Sequence, residues 1–362
     1  MTEAGAAAII GGEQKANTAV PPHSLLFDLA TRAPTTRQVA HLVKAGGTDA
    51  LTDAELKADA ARYQEVTCRS ALNRVEGMPF RWTLNPYRGC THGCHYCFAR
   101  RYHAQFELDA DDEFASVILV KRNVADVLAH ELARRSWRGE LVAVGTATDA
   151  YQPIEGHYRL TRRSLEALTQ SHTPFSVVTK GPMIVRDIDV LREASRRAGC
   201  TIHISVPSVD DDVWQTLEPG TAPPAQRLRA VRALAAEGVS VGVLIAPIVP
   251  SFSSSQRRLE RTIAAAAAHG ARFIGYNVMH LQPGTREHFM TFVERHFPDK
   301  HPGLERLYRG AYAPQTYRQQ VKGMVAVLSR RYGLADRAIN LGADSQAHRS
   351  RSDRPEQVAF QW

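Results

Sequence analysis

Short apolar runs separated by longer amphipathic stretches dominate the middle of the chain. The runs are Leu141–Val144, Phe175–Val178, Thr201–Ile204, Val241–Ile245 and Phe273–Tyr276. Helical spacing of apolar positions appears between them, at about Leu160–Ser171, Asp187–Ala198, Gln226–Glu237 and Ser255–His269. The last contains five consecutive alanines, the strongest helix formers. Apolar strands alternating with amphipathic helices predict βαβ units around a parallel sheet. A further run near Trp82–Asn85 brings the total to about six strands, enough for a partial barrel and too few for a closed eight-stranded one. A doubly wound open sheet has the same rhythm. In either architecture functional residues collect at the carboxyl ends of the strands.

The flanks differ from this core. Residues 1–69 form an N-terminal extension, expected to be partly disordered, with short helical patterns such as Ala54–Tyr63 broken upstream by Pro34 and Gly46-Gly47. The core barrel is expected over 70–285, further helices over 286–344, and a polar tail over 345–362. The sequence shows no repeat of 20–50 residues.

With 362 residues and a hydrophobic share of 44%, the chain can bury a sizeable core. Lys and Arg number 45 against 37 Asp and Glu, a net charge of +8. Such a surplus suits an anionic partner such as nucleic acid. The charge is spread over helices that also carry acids, so a solvated surface accounts for it as well. The apolar run Ala6–Ile10 follows an acidic Glu3 and lacks a basic flank, unlike a secretory signal. No apolar run approaches the roughly 18 residues of a membrane span. A cytoplasmic protein without a membrane partner is expected.

Cysteine changes the picture. Of the five, at 68, 90, 94, 97 and 200, three fall in Arg88-Gly89-Cys90-Thr91-His92-Gly93-Cys94-His95-Tyr96-Cys97. An odd, clustered set reads as metal binding in a reducing compartment rather than a disulfide framework. The C-x3-C-x2-C spacing lets one loop turn three sulfurs toward one centre, with Gly89 and Gly93 free to take positive φ. Thiolates are the usual ligands of iron–sulfur clusters, and three of them leave one iron of a 4Fe-4S cluster open. Zinc, with His92 or His95 as fourth ligand, fits the same spacing. Cys68 and Cys200 are isolated and read as small hydrophobes.

The spacing, with Tyr96 just before the last cysteine, resembles the radical SAM superfamily signature. Asn85-Pro86-Tyr87-Arg88-Gly89-Cys90 and Phe98-Ala99-Arg100 look like the branch related to spore photoproduct lyase. The resemblance covers roughly residues 70–285 and implies a partial (β/α)6 TIM-like barrel, here with N-terminal and C-terminal helical extensions. It also implies a 4Fe-4S cluster on Cys90, Cys94 and Cys97, with S-adenosylmethionine (SAM) on the open iron. Reductive cleavage of SAM then gives a 5′-deoxyadenosyl radical that takes hydrogen from a substrate. A reductase, or a donor of the flavodoxin or ferredoxin type, is implied as the electron source.

Several strand-end residues are candidate SAM contacts. Thr148, in Thr146-Ala147-Thr148-Asp149, offers a hydroxyl at a strand's carboxyl end, although an N-cap or Asx-turn suits the same residues. Lys180 could pair with the SAM carboxylate, although lysines at strand ends are commonly just solvated. The resemblance places Thr148, Lys180 and Ser205 at side-chain contacts and Ala246 at a backbone contact near the adenosine. Tyr96 offers its backbone or ring edge to adenine, or packs beneath the cysteine loop. Asp149-Ala150-Tyr151-Gln152-Pro153-Ile154-Glu155 looks like a family motif of open role. Glu218 and Arg227 look like a pair that fixes a loop or meets substrate. The lyase branch uses a cysteine at the end of the strand after the cluster to return hydrogen to the product radical; here Thr146 occupies that stretch, which speaks against photoproduct repair. A zinc-bearing nucleic-acid-binding module, and a radical SAM enzyme acting on DNA or RNA, are the competing readings.

Overall fold

A computed structural model describes residues 61–102 and 113–334. Its main sheet has seven strands: β2 (Leu72–Arg74), β3 (Trp82–Leu84), β6 (Val142–Val144), β7 (Phe175–Thr179), β8 (Cys200–Ser205), β9 (Val241–Ile248) and β10 (Ile274–Val278). They lie in the order β10-β9-β8-β7-β6-β3-β2. Every neighbouring pair from β3 to β10 is parallel, and β2 runs antiparallel on the outer edge of β3. Six parallel strands thus follow one another in chain order. A doubly wound sheet reverses its order at a switch point; this sheet does not, so that alternative is overturned in favour of a singly wound, open barrel.

Helices connect the strands: α1 (Val124–Leu132), α2 (Leu160–Gln170), α3 (Ile188–Arg197), α4 (Asp211–Leu217), α5 (Pro224–Ala236), α6 (Gln256–Ala268), α7 (Thr285–His296), α8 (His301–Leu307) and α9 (Gln315–Arg331). Punctuation explains the rhythm. Helices α3, α5 and α6 each run out into a glycine at positive φ, Gly199, Gly238 and Gly270, and the chain turns into the next strand. Only glycine takes that conformation without strain. At the other end, the Ser255 hydroxyl accepts the Arg258 N–H at 3.4 Å and opens α6.

The core matches the pattern of apolar runs. All of β6 is buried, and Phe175, Val177, Ile202, Ile204, Val243 and Ile245 pack against Leu165, Leu191, Leu234 and Ile263 of the helices. A second apolar cluster joins Phe289, Val293 and Leu304 of α7 and α8 to Cys94, Tyr96 and Leu217. The C-terminal helices therefore back the cysteine loop.

One element was not foreseen. Strands β1 (Arg62–Val66), β4 (Tyr87–Arg88) and β5 (Val117–Lys121) form a separate sheet in the order β1-β5-β4. Arg62 and Tyr63, which the helical pattern from Ala54 took in, pair in parallel with Val117 and Ile118 instead. The rest of that pattern, the remainder of residues 1–60, and the tail over 345–362 lie outside the described residues. Among those described, no helix is long and apolar enough to cross a membrane.

Lys121 ends β5 almost fully buried. Burial, with Arg88 nearby, lowers its ammonium to about 8. A cation whose pKa falls on folding opposes folding fully below that pH, and the opposition fades as pH rises toward its ordinary value. Lys121→Met should therefore melt higher than wild type at pH 7, by on the order of 3 kcal/mol. Calorimetry across pH 7–10.5 should show that advantage shrinking above about pH 8.

Candidate active site

The cysteine loop leaves β4 and has little regular structure of its own. Gly89 and Gly93 take φ of 79° and 58°, turning the backbone sharply on either side of Cys90. Short internal bonds follow: Gly93 N–H to the Cys90 carbonyl and Cys97 N–H to the Cys94 carbonyl, both 3.2 Å. Arg100, in the middle of the 3-10 turn Phe98–Tyr102, reaches back under the loop. Its Nε donates to the Cys94 carbonyl at 3.2 Å and its Nη2 to the Gly93 carbonyl at 3.0 Å. The guanidinium lies 4.9 Å from the Phe114 ring centroid.

The barrel holds the other side. The Thr148 hydroxyl donates to the Gly89 carbonyl at 2.7 Å, and Gln152 Nε2 approaches the same carbonyl at 3.3 Å. Gln152 Oε1 accepts the Thr91 N–H at 3.2 Å. Past β8, Gly220 N–H donates to the His92 carbonyl and His95 N–H to the Leu217 carbonyl, each at 3.1 Å.

Cys90, Cys94 and Cys97 line one cavity of about 320 Å³ together with Tyr96, Thr148, Lys180, Ser205 and Ala246. The three expected cluster ligands and the five expected SAM contacts are thus brought to one place, whereas His95, Glu218 and Arg227 lie outside this lining. Among the described residues, no three His, Cys, Asp or Glu side chains stand close enough to hold a single ion. A Cys3His zinc site needs that convergence. A cubane cluster takes each thiolate on a different iron, and three thiols lining one cavity suit its donor set. His95 turns away, stacking on Phe292 of α7 at 3.8 Å and meeting His288 Nε2 at 3.1 Å.

Behind the loop lies a buried charge network. The Tyr96 hydroxyl donates to Glu218, whose other oxygen is 2.7 Å from Arg227 Nη2. Lys180 Nζ is 3.7 Å from Glu218 and 5.7 Å from the Tyr96 ring centroid. Burial alone would raise the Glu218 carboxyl, but Arg227, Lys180 and the Tyr96 hydroxyl hold it below its usual range. Burial alone would lower the Lys180 ammonium, yet Cys94 and Glu218 hold it above its usual value. Lys180 is therefore a held cation rather than a solvated one. Arg227, fully buried, also donates to the Ser205 carbonyl at 3.0 Å and the Ala222 carbonyl at 2.7 Å. Glu218–Arg227 is a structural pair that fixes this wall.

The acidic motif after β6 acquires roles. Asp149 accepts from the Thr179 hydroxyl and the Lys180 N–H, both at 2.6 Å, and joins the ends of β6 and β7. It also accepts the Tyr151 N–H at 2.9 Å and lies 3.4 Å from His92 Nδ1. Burial alone would lower the His92 imidazole; Cys90 and Asp149 push it up to about 10. Glu155, fully buried, accepts from the Tyr87 hydroxyl, from Thr161 N–H at 3.0 Å and from Arg186 Nη2 at 3.0 Å. Gln152 and Arg100 were missed as supports of the loop, because contacts made to backbone carbonyls leave no spacing to read. Cys68 and Cys200 are buried outside the cavity, with the Cys200 thiol donating to the Leu191 carbonyl at 3.4 Å.

The family model described as the radical SAM superfamily matches residues 84–260. An uncharacterized protein of Mycobacterium tuberculosis is 39% identical over 281 residues, covering 76% of this chain and 83% of its own. An uncharacterized protein of Methanocaldococcus jannaschii is 22% identical over 238 residues, covering 66% and 84%. Spore photoproduct lyase complexed with dinucleoside spore photoproduct has a similar fold, with a TM-score of 0.60 at 16% identity, covering 79% of this chain and 83% of that one. A variant of that lyase with bound AdoMet and dinucleoside spore photoproduct gives 0.59 at 15% identity, covering 84% and 93%.

Gly220 provides a direct test of how the loop is held. A Cβ there would collide with the Thr91 and His92 carbonyls. Gly220→Ala should push the loop off its seat and lower iron retained after anaerobic reconstitution to less than about half of wild type, at unchanged helix content by circular dichroism.

Proposed function

The chain belongs to the radical SAM superfamily and is an enzyme of it, and from that premise we propose that Cys90, Cys94 and Cys97 hold a 4Fe-4S cluster with SAM on its open iron. The observation that carries this reading is the shared cavity: three thiols and Tyr96 of the cysteine loop line the same space as four residues from the strand ends, Thr148, Lys180, Ser205 and Ala246. Cluster and SAM together supply a 5′-deoxyadenosyl radical for hydrogen abstraction.

The chain's own groups have distinct tasks. Lys180 offers a permanent cation to the SAM carboxylate, held in place by Glu218. Thr148 spends its proton on the Gly89 carbonyl and accepts from Gln152 Nε2 at 3.2 Å, leaving one lone pair for the SAM ammonium. Ser205 donates to the Ala246 carbonyl at 3.4 Å, and this pair on β8 and β9 would meet the adenosine. Tyr96, its hydroxyl committed to Glu218, presents its ring beside Lys180. Phe98, Phe114 and Met279 line the cavity near the thiols and help exclude water.

Thr146 lines the cavity where the lyase branch has its hydrogen-returning cysteine, and the cavity's cysteines are the three ligands. The reading therefore covers radical initiation on a substrate other than the spore photoproduct. It includes a cytoplasmic setting and a flavodoxin- or ferredoxin-type donor or reductase to reduce the cluster. Among the described residues, no converging set of three His, Cys, Asp or Glu side chains supports the zinc-bearing nucleic-acid module.

Anaerobic reconstitution should give about four irons per chain. Reduction in the presence of SAM should release 5′-deoxyadenosine, and Cys94→Ala should release none. A chain that loads iron yet releases no 5′-deoxyadenosine under strong reductant would overturn the reading. Lys180→Met should weaken SAM binding by about tenfold or more in equilibrium dialysis, the loss of one charged hydrogen bond.

A further inference from the structure

The inner wall of the cavity holds a side chain that the cofactor reading leaves unused. Along β8, Ile202 and Ile204 face the helices and belong to the core, while His203 and Ser205 face the cavity. Two residues along a strand correspond to about 7 Å, so His203 lies one step deeper than Ser205. The ring is 7% exposed, and its Nε2 is buried with no hydrogen-bond partner among the described residues. Leaving a buried polar atom unpaired costs free energy that an apolar side chain would not incur, so a histidine here calls for a ligand.

The surroundings fix this ring in place. His203 sits in register beside Val178 of β7 and Gly242 of β9. The missing side chain at Gly242 is filled by the Phe273 ring, with which any Cβ there would collide. His203 packs against that ring at 5.2 Å and 65°. The two-fold preference of the imidazole's χ2 lets either nitrogen turn to the cavity.

The neighbouring lining is Ala143, Ser176, Val178 and Leu244, without a charge, whereas Lys180, Asp149 and His92 stand nearer the cysteines. Burial lowers the His203 imidazole to about 4, so it is neutral at physiological pH. An ion placed here would have no countercharge beside it. An uncharged group with hydrogen-bonding edges fits.

We propose that His203 is a substrate-side contact whose imidazole hydrogen-bonds an uncharged polar group, a nucleobase edge or an amide, held below the SAM contacts. The assignment rests on the cofactor reading above.

The test uses the full chain, reconstituted anaerobically, in equilibrium dialysis. Uridine is compared with its carboxylate counterpart orotidine, and N-acetylalaninamide with N-acetylalanine; which pair responds tells base from amide. One neutral probe should bind at least about tenfold tighter than its charged counterpart. His203→Leu should weaken that probe about tenfold, and His203→Gln should restore it to within about threefold. SAM affinity should stay within about twofold of wild type in both variants. The ligand-free His203→Leu chain should melt no lower than wild type, since a purely structural histidine would be missed. His203→Met replaces the Leu variant should the latter not fold. The proposal is overturned if neither neutral probe binds, if the apolar variant binds it equally, or if SAM affinity falls tenfold, which would make His203 a cofactor contact. Absence of SAM binding in wild type sinks the cofactor reading, and is scored apart from the probe comparison.

Discussion

The cysteine loop has to hold three thiols in fixed relation, yet it forms neither helix nor strand through which it could support itself. Its carbonyls supply the constraint. Gly89 is bound by Thr148 and Gln152, Gly93 and Cys94 by Arg100, and His92 by the Gly220 N–H. These donors come from the loop's own downstream turn, from the end of β6 and from the loop beyond α4. A loop gripped through its backbone keeps its side chains available for ligation. The arrangement also explains why Gly220 lacks a side chain: the approach of two backbones leaves no room for one.

The same end of the barrel concentrates buried charge, which is costly unless each ion is paired and hydrogen-bonded. Here the pairing is dense. Asp149 binds two groups of the β7 end and faces His92; Glu218 meets Tyr96, Lys180 and Arg227; Glu155 meets Tyr87 and Arg186. Each acid links elements far apart in sequence, so the networks fix the mutual position of strand ends that β hydrogen bonds no longer reach. An apolar substitute could match the stability but not the directional hold.

Much of the barrel was legible because its signals are local. Apolar runs of four or five residues and amphipathic stretches recur with the βα period, and the cysteine spacing is compact. The winding was not legible, because order in a sheet is a long-range property; the parallel pairing of Trp82–Leu84 with Val142–Val144 settled it. The small sheet escaped for a related reason. β4 contributes only Tyr87 and Arg88, too short for any pattern, and β1 alternates Arg62-Tyr63-Gln64-Glu65-Val66 without a buried face of its own. At the site, the residues proposed to meet ligands through side chains were read from their chemistry. Gln152, Arg100 and His203 were not, since a carbonyl contact and an unpaired nitrogen leave no trace in spacing.

The cavity's polarity follows from this division. Near the cysteines the lining carries His92, Asp149 and Lys180, while Leu244 beside Ser205, Val178 and His203 one strand-step deeper, and Ala143 and Ser176 below them bring no formal charge. Charge at the cysteine end suits a zwitterionic cofactor, whose carboxylate and ammonium need partners that stay ionised. Neutral donors and small side chains at depth suit a part of the substrate that carries no charge. Gly145 and Gly242 maintain that contrast sterically: a Cβ at Gly145 would strike the Val178 carbonyl, and one at Gly242 would evict Phe273 from beneath His203. The register that builds the open barrel and the register that grades its interior are therefore the same set of strand pairings.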